Sequence, residues 1–340
     1  MVPRKSDPGG SDVWQGWHPF SLRLFGDGSG HRQISALPKS LLGFVWSTGA
    51  ARQYWLVGLS LAVAGLDAAP IEIQRRIVNQ TIKQGDLNPI ALLAAGYVAL
   101  AVVQGLVKMA ANIFRSWVSE NAVRDLRMFI SQTGHPQGDA ASRGIEISML
   151  IAESEAIGGF AGDAIAEPAL QLGTLFSVMG YLVFIQPLMA VVLLGVIVPQ
   201  LVFVPLMQMA INRRVQRRIA ALRATSGSVV GEGTPLEILE QQILHFDTIF
   251  QLNMGVFELK FSMNFLMNFM HQLSVATILG VGGWLVVMGR TDIGTLVAFI
   301  AGVAAIRSPW GDLVNWFQSF SVNKAKYALV EARLARTADA

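Results

Sequence analysis

The sequence predicts an all-α polytopic membrane protein with six transmembrane helices and long cytoplasmic helical extensions, here called stalks. Hydrophobic residues make up 52% of the 340 residues and charged residues only 14%, with a mean hydropathy of +0.46. This composition is too apolar for an ordinary soluble domain. Long apolar stretches also alternate with very short polar breaks on one side and long arginine-rich connections on the other. That alternation indicates helices that cross a membrane and continue beyond it on one side.

Apolar stretches of suitable length are the candidate membrane spans, because a hydrocarbon core of about 30 Å needs roughly 20 apolar residues in a helix. The six candidates are residues 54–71, 87–107, 168–185, 188–211, 265–288 and 293–306. Asp67 interrupts the first stretch, and the last one is short. Pro199 and Pro205 lie inside the fourth, which membrane helices tolerate when neighbouring groups satisfy the freed backbone.

The connections between spans differ strongly in length. Only Gln186 and Pro187 separate spans three and four, and residues 290–292 separate spans five and six. After span two, residues 108–130 contain no proline or glycine. A single helix from Leu87 to Ile130 would therefore extend on the order of 65 Å, about twice the hydrocarbon thickness. The arginine-rich residues 212–224 predict a similar stalk after span four.

Charge distribution predicts the orientation. With both termini inside, the outer connections hold only four basic residues, which are Arg75, Arg76, Lys83 and Arg290. The positive-inside rule then makes both termini cytoplasmic, in a multi-pass protein of the plasma (inner) membrane. Residues 1–36 are rich in Gly, Ser and charge and lack a signal-peptide core, so we expect a flexible cytoplasmic tail. Residues 37–46 predict a helix along the inner leaflet, with a solvated linker as the alternative.

Several function classes are disfavoured by composition. The chain has no cysteine, which excludes thiol catalysis and cysteine-ligated metals. Its five histidines share no ligand spacing, so we expect no metal site and no catalytic residues. The net charge of +3 is modest and gives no reason to expect a nucleic-acid partner.

Polar side chains at helical spacing on three predicted helices are candidates for lining a translocation pathway. The candidates are Gln104 and Lys108 on helix two, Asp163, Glu167 and Gln171 on helix three, and Asn264, Asn268 and His271 on helix five. Polar groups within membrane helices face the bundle interior or a water-filled cavity more often than lipid. Lys108 is a candidate partner for Asp163 or Glu167. The alternative is that these residues form interhelical hydrogen bonds and the stalk surface.

Four further segments resemble a known family in their order and spacing. They are the run of residues 144–153 (GIEISMLIAE), residues 282–289 (GGWLVVMG), residues 294–299 (GTLVAF), and Pro309 with Leu313. Together with six spans and inner stalks, they resemble the transmembrane domain of exporter-type ABC transporters over residues 40–330. The resemblance implies the six-helix fold for residues 37–330. It also implies a homodimer or heterodimer with a second half-transporter, which forms one pathway.

The resemblance further implies that the two inner turns, residues 131–143 and 225–237, dock onto an ATPase and transmit its motion. The candidate coupling residues are His135, Asp139, Arg143, Ser226, Glu232 and Glu237. The alternative is a pair of solvated turns.

In one respect the sequence departs from the family. No phosphate-binding Gly-Lys-Ser/Thr loop occurs, and residues 331–340 form a cytoplasmic tail where the family's ATPase domain would begin. We therefore expect no enzyme activity and no cofactor in this chain, with ATP and Mg²⁺ bound by a separate ATP-binding subunit. The expected function is the permease component of an ABC-type transporter in the lipid bilayer.

Two alternatives remain open for the function. One is a proton-driven secondary transporter on the same fold, whose candidate carboxylates are Asp67, Glu72, Glu153, Glu155, Asp163 and Glu167. The other is a truncated half-transporter without activity.

Overall fold

The computed structural model describes residues 37–83, 87–133, 149–228 and 235–338. Within these ranges the chain is almost entirely helical and contains no strand. Six helical segments are long and apolar enough to cross a membrane: Ala50–Ile82, Asn88–Gln132, Ile151–Ile185, Pro187–Ala221, Ile243–Val287 and Ile293–Ala332. Each predicted span overlaps one of them. The all-α class and the six candidate membrane-spanning helices are thus confirmed.

The N-terminal part of the described chain forms four helices, α1 Leu41–Ser47, α2 Ala50–Leu66, α3 Ala69–Lys83 and α4 Leu87–Thr133. The Ser40 hydroxyl caps α1 by accepting a hydrogen bond from the Gly43 backbone N–H at 3.1 Å. This short helix confirms the helix predicted just before span one. The first span was predicted to end at Ile71, whereas α3 continues to Lys83. Its mixed apolar and polar residues form an amphipathic helix that a search for purely apolar stretches ends too early.

The remaining helices follow the predicted breaks. They are α5 Ser154–Phe160, preceded by a π-helical turn at Met149–Glu153, then α6 Asp163–Ile185, α7 Pro187–Ser228, α8 Pro235–Thr277, a second π-helical turn at Ile278–Gly282, α9 Gly283–Val287 and α10 Ile293–Ala338. Gln186 alone separates α6 from α7, and Gly289 turns the chain after α9 with φ +68°. The long helices extend far beyond the thickness of a bilayer. α4 has 47 residues and α7 has 42, which confirms the prediction of continuous helices longer than the hydrocarbon thickness.

The described residues fall into two compact units. The first contains the described residues 37–60, 105–133, 149–167 and 320–338. In it, Leu56, Val118 and Ala166 form a small buried cluster, and Phe44 of α1 packs against Tyr327 of α10. The Tyr327 hydroxyl donates to the Pro38 carbonyl oxygen at 2.5 Å. These contacts attach α1 to the last part of α10.

The second unit comprises Leu61–Gln104 and Pro168–Ser319. Its main core contains Leu182, Leu193, Leu285 and Phe299, all fully buried. At Gly282, a Cβ atom would meet the side chains of Leu296 and Met189. The α6–α7 turn and the α9–α10 turn therefore lie at the same end of this unit, which we call the outer end.

A candidate binding cavity among four helices

A partly open cavity of about 780 Å³ lies within the second unit, lined by residues of α6, α7, α8 and α10. This volume falls within the range of small-molecule binding sites. Its apolar wall includes Leu172, Leu175, Phe176 and Met179 of α6, Leu194 and Ile197 of α7, Met267 of α8, and Val303 and Ile306 of α10. Its polar lining includes Gln200, Asn264, Asn268, His271, Ser274, Arg307, Ser308, Asp312 and Asn315.

The polarity of the cavity changes with depth. At 1.5 Å per residue, Val303 lies about 15 Å along α10 from Ile293 at the outer end, and Asn315 lies about 33 Å along it. Arg307, Asp312 and Asn315 are thus progressively farther from the outer end. Asn264 is similarly the innermost cavity residue of α8, whereas Phe176 and Met179 lie nearer the α6–α7 turn. Most apolar lining residues therefore lie nearer the outer turns and most polar ones lie farther from them, where Met267 and Trp310 are the apolar exceptions.

Arg307 is the central polar group of the cavity. Its Nη2 donates to the Asn268 side-chain oxygen at 2.7 Å, which orients the guanidinium across from α10 to α8. Its positive charge also acts on the imidazole of His271. Asp312, the one acidic residue among the described lining residues, accepts a hydrogen bond from the Ser308 hydroxyl at 3.1 Å on its own helix. The cavity thus places a cationic donor group beside an apolar wall.

The structure brings together three of the eight predicted pathway residues. Asn264, Asn268 and His271 all line the cavity, as their shared spacing on one helix requires. Gln171 is buried on α6, directly before the lining residue Leu172. The other four candidates lie elsewhere.

Gln104 belongs to a polar cluster around Asp67, the residue that interrupts the first span. Asp67 lies in the break between α2 and α3. The Gln104 amide donates to one carboxylate oxygen of Asp67, and the Thr174 hydroxyl donates to the other at 2.7 Å. Donors from α4 and α6 therefore satisfy a carboxylate that would otherwise be costly inside a membrane span.

Asp163 and Glu167 lie in the first unit, where both are paired with Arg115 of α4. Arg115 Nη1 lies 2.5 Å from a carboxylate oxygen of Glu167 and 3.4 Å from one of Asp163. Lys108, the predicted partner, lies about two turns earlier on the same helix. The basic partner that the described contacts identify is Arg115, which lies seven residues after Lys108 and therefore on the same face of α4.

Four lining residues of α10 were missed by the sequence analysis. Arg307, Ser308, Asp312 and Asn315 follow directly after Ile306, where the predicted sixth span ended. The spacing of Ser308, Asp312 and Asn315, at steps of four and three, is the same helical signal that identified the candidates on helix five. Extending the search into the stalk would have found these three, whereas Arg307 lies outside this spacing.

The coupling-turn candidates are only partly within the described chain. His135, Asp139, Arg143 and Glu232 lie outside the described residues. Ser226 lies in the last turn of α7 and Glu237 in the first turn of α8. Helix thus occupies both ends of the second predicted turn, and only residues 229–234 remain between α7 and α8.

Comparison with models of known protein families finds no match, and comparison with curated proteins finds none either.

Proposed function

We propose that this chain is the permease component of an ABC-type transporter with the exporter fold, driven by ATP hydrolysis on a separate nucleotide-binding subunit. The observation that carries the proposal is that the helices lining the cavity continue as stalks. α7 extends about 42 Å beyond Gln200, and α8 begins about 44 Å before Asn264. Movement at the far ends of these helices would change the cavity, which is the relation that a transporter driven from outside the membrane requires.

An exposed stripe of phenylalanine and methionine side chains on α8 supports a dimer. Steps of three or four residues place its members on one face: Phe246, Phe250, Met254, Phe257, Phe261, Phe265 and Phe269. Phe250 is 57% exposed and Phe261 65% exposed. Exposed apolar side chains continue to Val287, about 62 Å from Phe246, whereas hydrocarbon covers only about 30 Å. Part of the stripe lies outside lipid, and we propose that a second half-transporter, identical or homologous, covers it.

The direction of insertion follows from charge. The stalk part of α7 carries Arg213, Arg214, Arg217 and Arg218, whereas the α9–α10 turn carries only Arg290. We therefore propose that the stalks and both termini are cytoplasmic and that the outer end faces away from the cytoplasm.

The proposal is tested by purifying the tagged chain from its native membranes under mild conditions. We expect a dimer that carries ATP-hydrolysing activity. Reversing charge in the second inner turn with Glu232→Arg and Glu237→Arg should remove that activity while the dimer persists. Glu258→Arg, an exposed position in the middle of α8, is the matched control and should retain it. A monomer without associated ATPase activity would refute the proposal.

The cluster around Asp67 favours one second candidate, a proton-driven transporter on the same fold. A hydrogen-bonded carboxylate inside a membrane span is a typical proton-carrying group. Transport into vesicles separates the two: loss on removal of ATP favours the first proposal, and loss with an uncoupler alone favours the second.

A further inference from the structure

We infer that the cavity binds an amphipathic anion, a molecule with one carboxylate or phosphate head and an alkyl or aryl body. This inference rests on the proposed function, because it names the class of molecule that the transporter would carry. It follows from the graded polarity of the cavity and from polar side chains that lack partners.

The polar end of the cavity offers more donors than the protein itself uses. Arg307 is exposed and donates only to Asn268 among the described residues. Asn264, His271 and Asn315 line the same space and have no hydrogen-bond partner among those residues. Polar groups of this kind at membrane depth are costly unless water or a ligand satisfies them. A ligand head that accepts several hydrogen bonds fits this end.

The charge of the head follows from the position of Arg307. Arg307 comes directly after Ile306 and one turn after Val303, where the apolar wall begins. Its near polar neighbours, Asn268 and His271, carry no negative charge. Asp312 lies about 7.5 Å farther along α10 and already accepts from Ser308. A ligand whose anionic head binds Arg307 can therefore keep its apolar body on the apolar wall. A ligand whose cationic head binds Asp312 would have its body drawn away from that wall.

The body of the ligand fits the opposite end. Leu175, Phe176 and Met179 of α6 face the cavity together with Ile197 of α7. Phe176 is 75% exposed, so its ring is available for contact. Flexible and aromatic apolar side chains of this kind accept bodies of different shape. We therefore expect specificity for the charge of the head and tolerance for the shape of the body.

The test uses the full chain in nanodiscs of zwitterionic lipid and a fatty acid with a photoreactive diazirine at its far end. Cross-linked peptides should come from the lining segments of α6, α7, α8 and α10. Dodecanoate and dodecyl phosphate should compete at least about tenfold better than dodecanol or dodecylamine, since a charge-assisted hydrogen bond contributes about one power of ten or more. Equal competition by dodecanol would show apolar trapping only and would overturn the inference.

Single substitutions distinguish a requirement for the charge of Arg307 from a general loss of folding. Arg307→Gln should weaken binding about tenfold, and Arg290→Gln, an exposed arginine in the outer turn, should leave it unchanged. Asp312→Asn should keep or strengthen binding of the anion. Loss of binding in Asp312→Asn with retention in Arg307→Gln would show a cation site and refute the inference.

This binding assay needs neither ATP nor a second subunit. Specific anion binding by a chain that carries no ATPase would overturn the proposed function and leave the inference standing. A dimer with ATPase activity but without anion preference would overturn the inference and leave the proposed function standing.

Discussion

Arg115 and Glu167 join two helices of the first unit through an ion pair of 2.5 Å. The Arg115 side chain is 16% exposed and that of Glu167 is 19% exposed, so both charges are largely removed from solvent. Asp163, one turn earlier on α6, adds a second, more exposed carboxylate at 3.4 Å from the same nitrogen. One guanidinium thus offsets two acidic groups that would otherwise repel each other.

Arg115→Met should therefore destabilise the protein by about 1–3 kcal/mol, because it leaves two carboxylates near each other without a cation. The unfolding temperature, followed through the fluorescence of the eight tryptophans, should fall clearly. Arg127→Met is the matched control in the same unit. Arg127 pairs with Glu155 at 2.9 Å and also donates to the Ser154 hydroxyl and the Ile151 carbonyl oxygen, each at 3.3 Å. Because the Glu155 carboxylate is 72% exposed and these two hydrogen bonds are long, a loss of only about 0.5–1 kcal/mol is expected. Equal effects of the two variants would contradict the assignment.

Gly158 and Gly159 differ in their surroundings although they are neighbours. A Cβ atom at Gly158 would lie 2.5 Å from the backbone of Val123 on α4, whereas one at Gly159 would meet nothing within 4 Å. Gly158→Ala should cost about 1–3 kcal/mol through overpacking. Gly159→Ala should be neutral or slightly stabilising, because alanine is the better helix former. Thermal unfolding in the same detergent compares them, and a stable Gly158→Ala variant would show that α4 and α5 are less closely packed.

Asp292 should make the outer turn sensitive to acid. Its carboxylate accepts the Thr295 backbone N–H at 2.6 Å and caps α10. Burial by itself raises the pKa of Asp292, but hydrogen bonds from Thr295 and Asn79 and the charge of Arg75 hold it below its usual value. The ionised form is therefore favoured by folding. Its stabilisation is complete above the ordinary aspartate pKa of about 3.9 and is lost as the pH falls through the lowered value.

Two substitutions test this pH dependence through the unfolding temperature between about pH 3 and pH 7. Asp292→Asn should keep most of the cap but lose the Asp292 contribution to acid sensitivity. Asp292→Ala should lower the free energy of unfolding by about 1 kcal/mol across this pH range. If the unfolding temperature of Asp292→Asn falls with acid as much as that of the original chain, another group is responsible for the acid sensitivity.

The absence of cysteine allows a direct test of orientation. Arg290→Cys in the outer turn should react with a membrane-impermeant maleimide in intact cells. Ser226→Cys, in the last turn of α7, should react only after the membrane is opened. The original chain is the unlabelled control. The opposite pattern would show that the protein is inserted the other way round.

Two substitutions at Asp67 test whether its carboxylate has a structural role or carries a proton. Asp67→Ala leaves the donors of Gln104 and Thr174 without an acceptor and should lower the unfolding temperature, at a cost of about 1–3 kcal/mol. Asp67→Asn retains an acceptor oxygen and should unfold near the original temperature. ATP-driven transport in inverted vesicles should also survive Asp67→Asn. Loss of transport in this well-folded variant would favour the proton-driven alternative.

The sequence was sufficient to predict the six spans, the short outer breaks and the continuous helix from Leu87. These features depend on local properties, namely runs of apolar residues and the absence of proline and glycine, which act within a helical turn or two. The start of the third span was less predictable. The apolar stretch begins at Pro168, whereas α6 begins at Asp163, and its acidic first turn pairs with Arg115, a residue distant in the sequence.

The candidate site was only partly predictable, because the spacing of residues on one helix is a local property and the contacts between helices are not. Spacing alone shows that Asn264, Asn268 and His271 share a face of one helix. It does not show which neighbouring helix that face meets. Spacing therefore did not reveal that Arg307 contacts Asn268, or that Asp163 and Glu167 pair with Arg115.

The sequence by itself determined that the chain forms long apolar helices with basic extensions, since hydrophobicity and helix propensity are properties of each segment. Only the tertiary structure decided which polar groups satisfy one another and which line a cavity. Asp67 shows the physical reason: a carboxylate at membrane depth depends on donors from other helices, and Gln104 and Thr174 reach it only through their packing. Arg307 likewise becomes part of the candidate cavity only because α10 turns it toward Asn268 of α8.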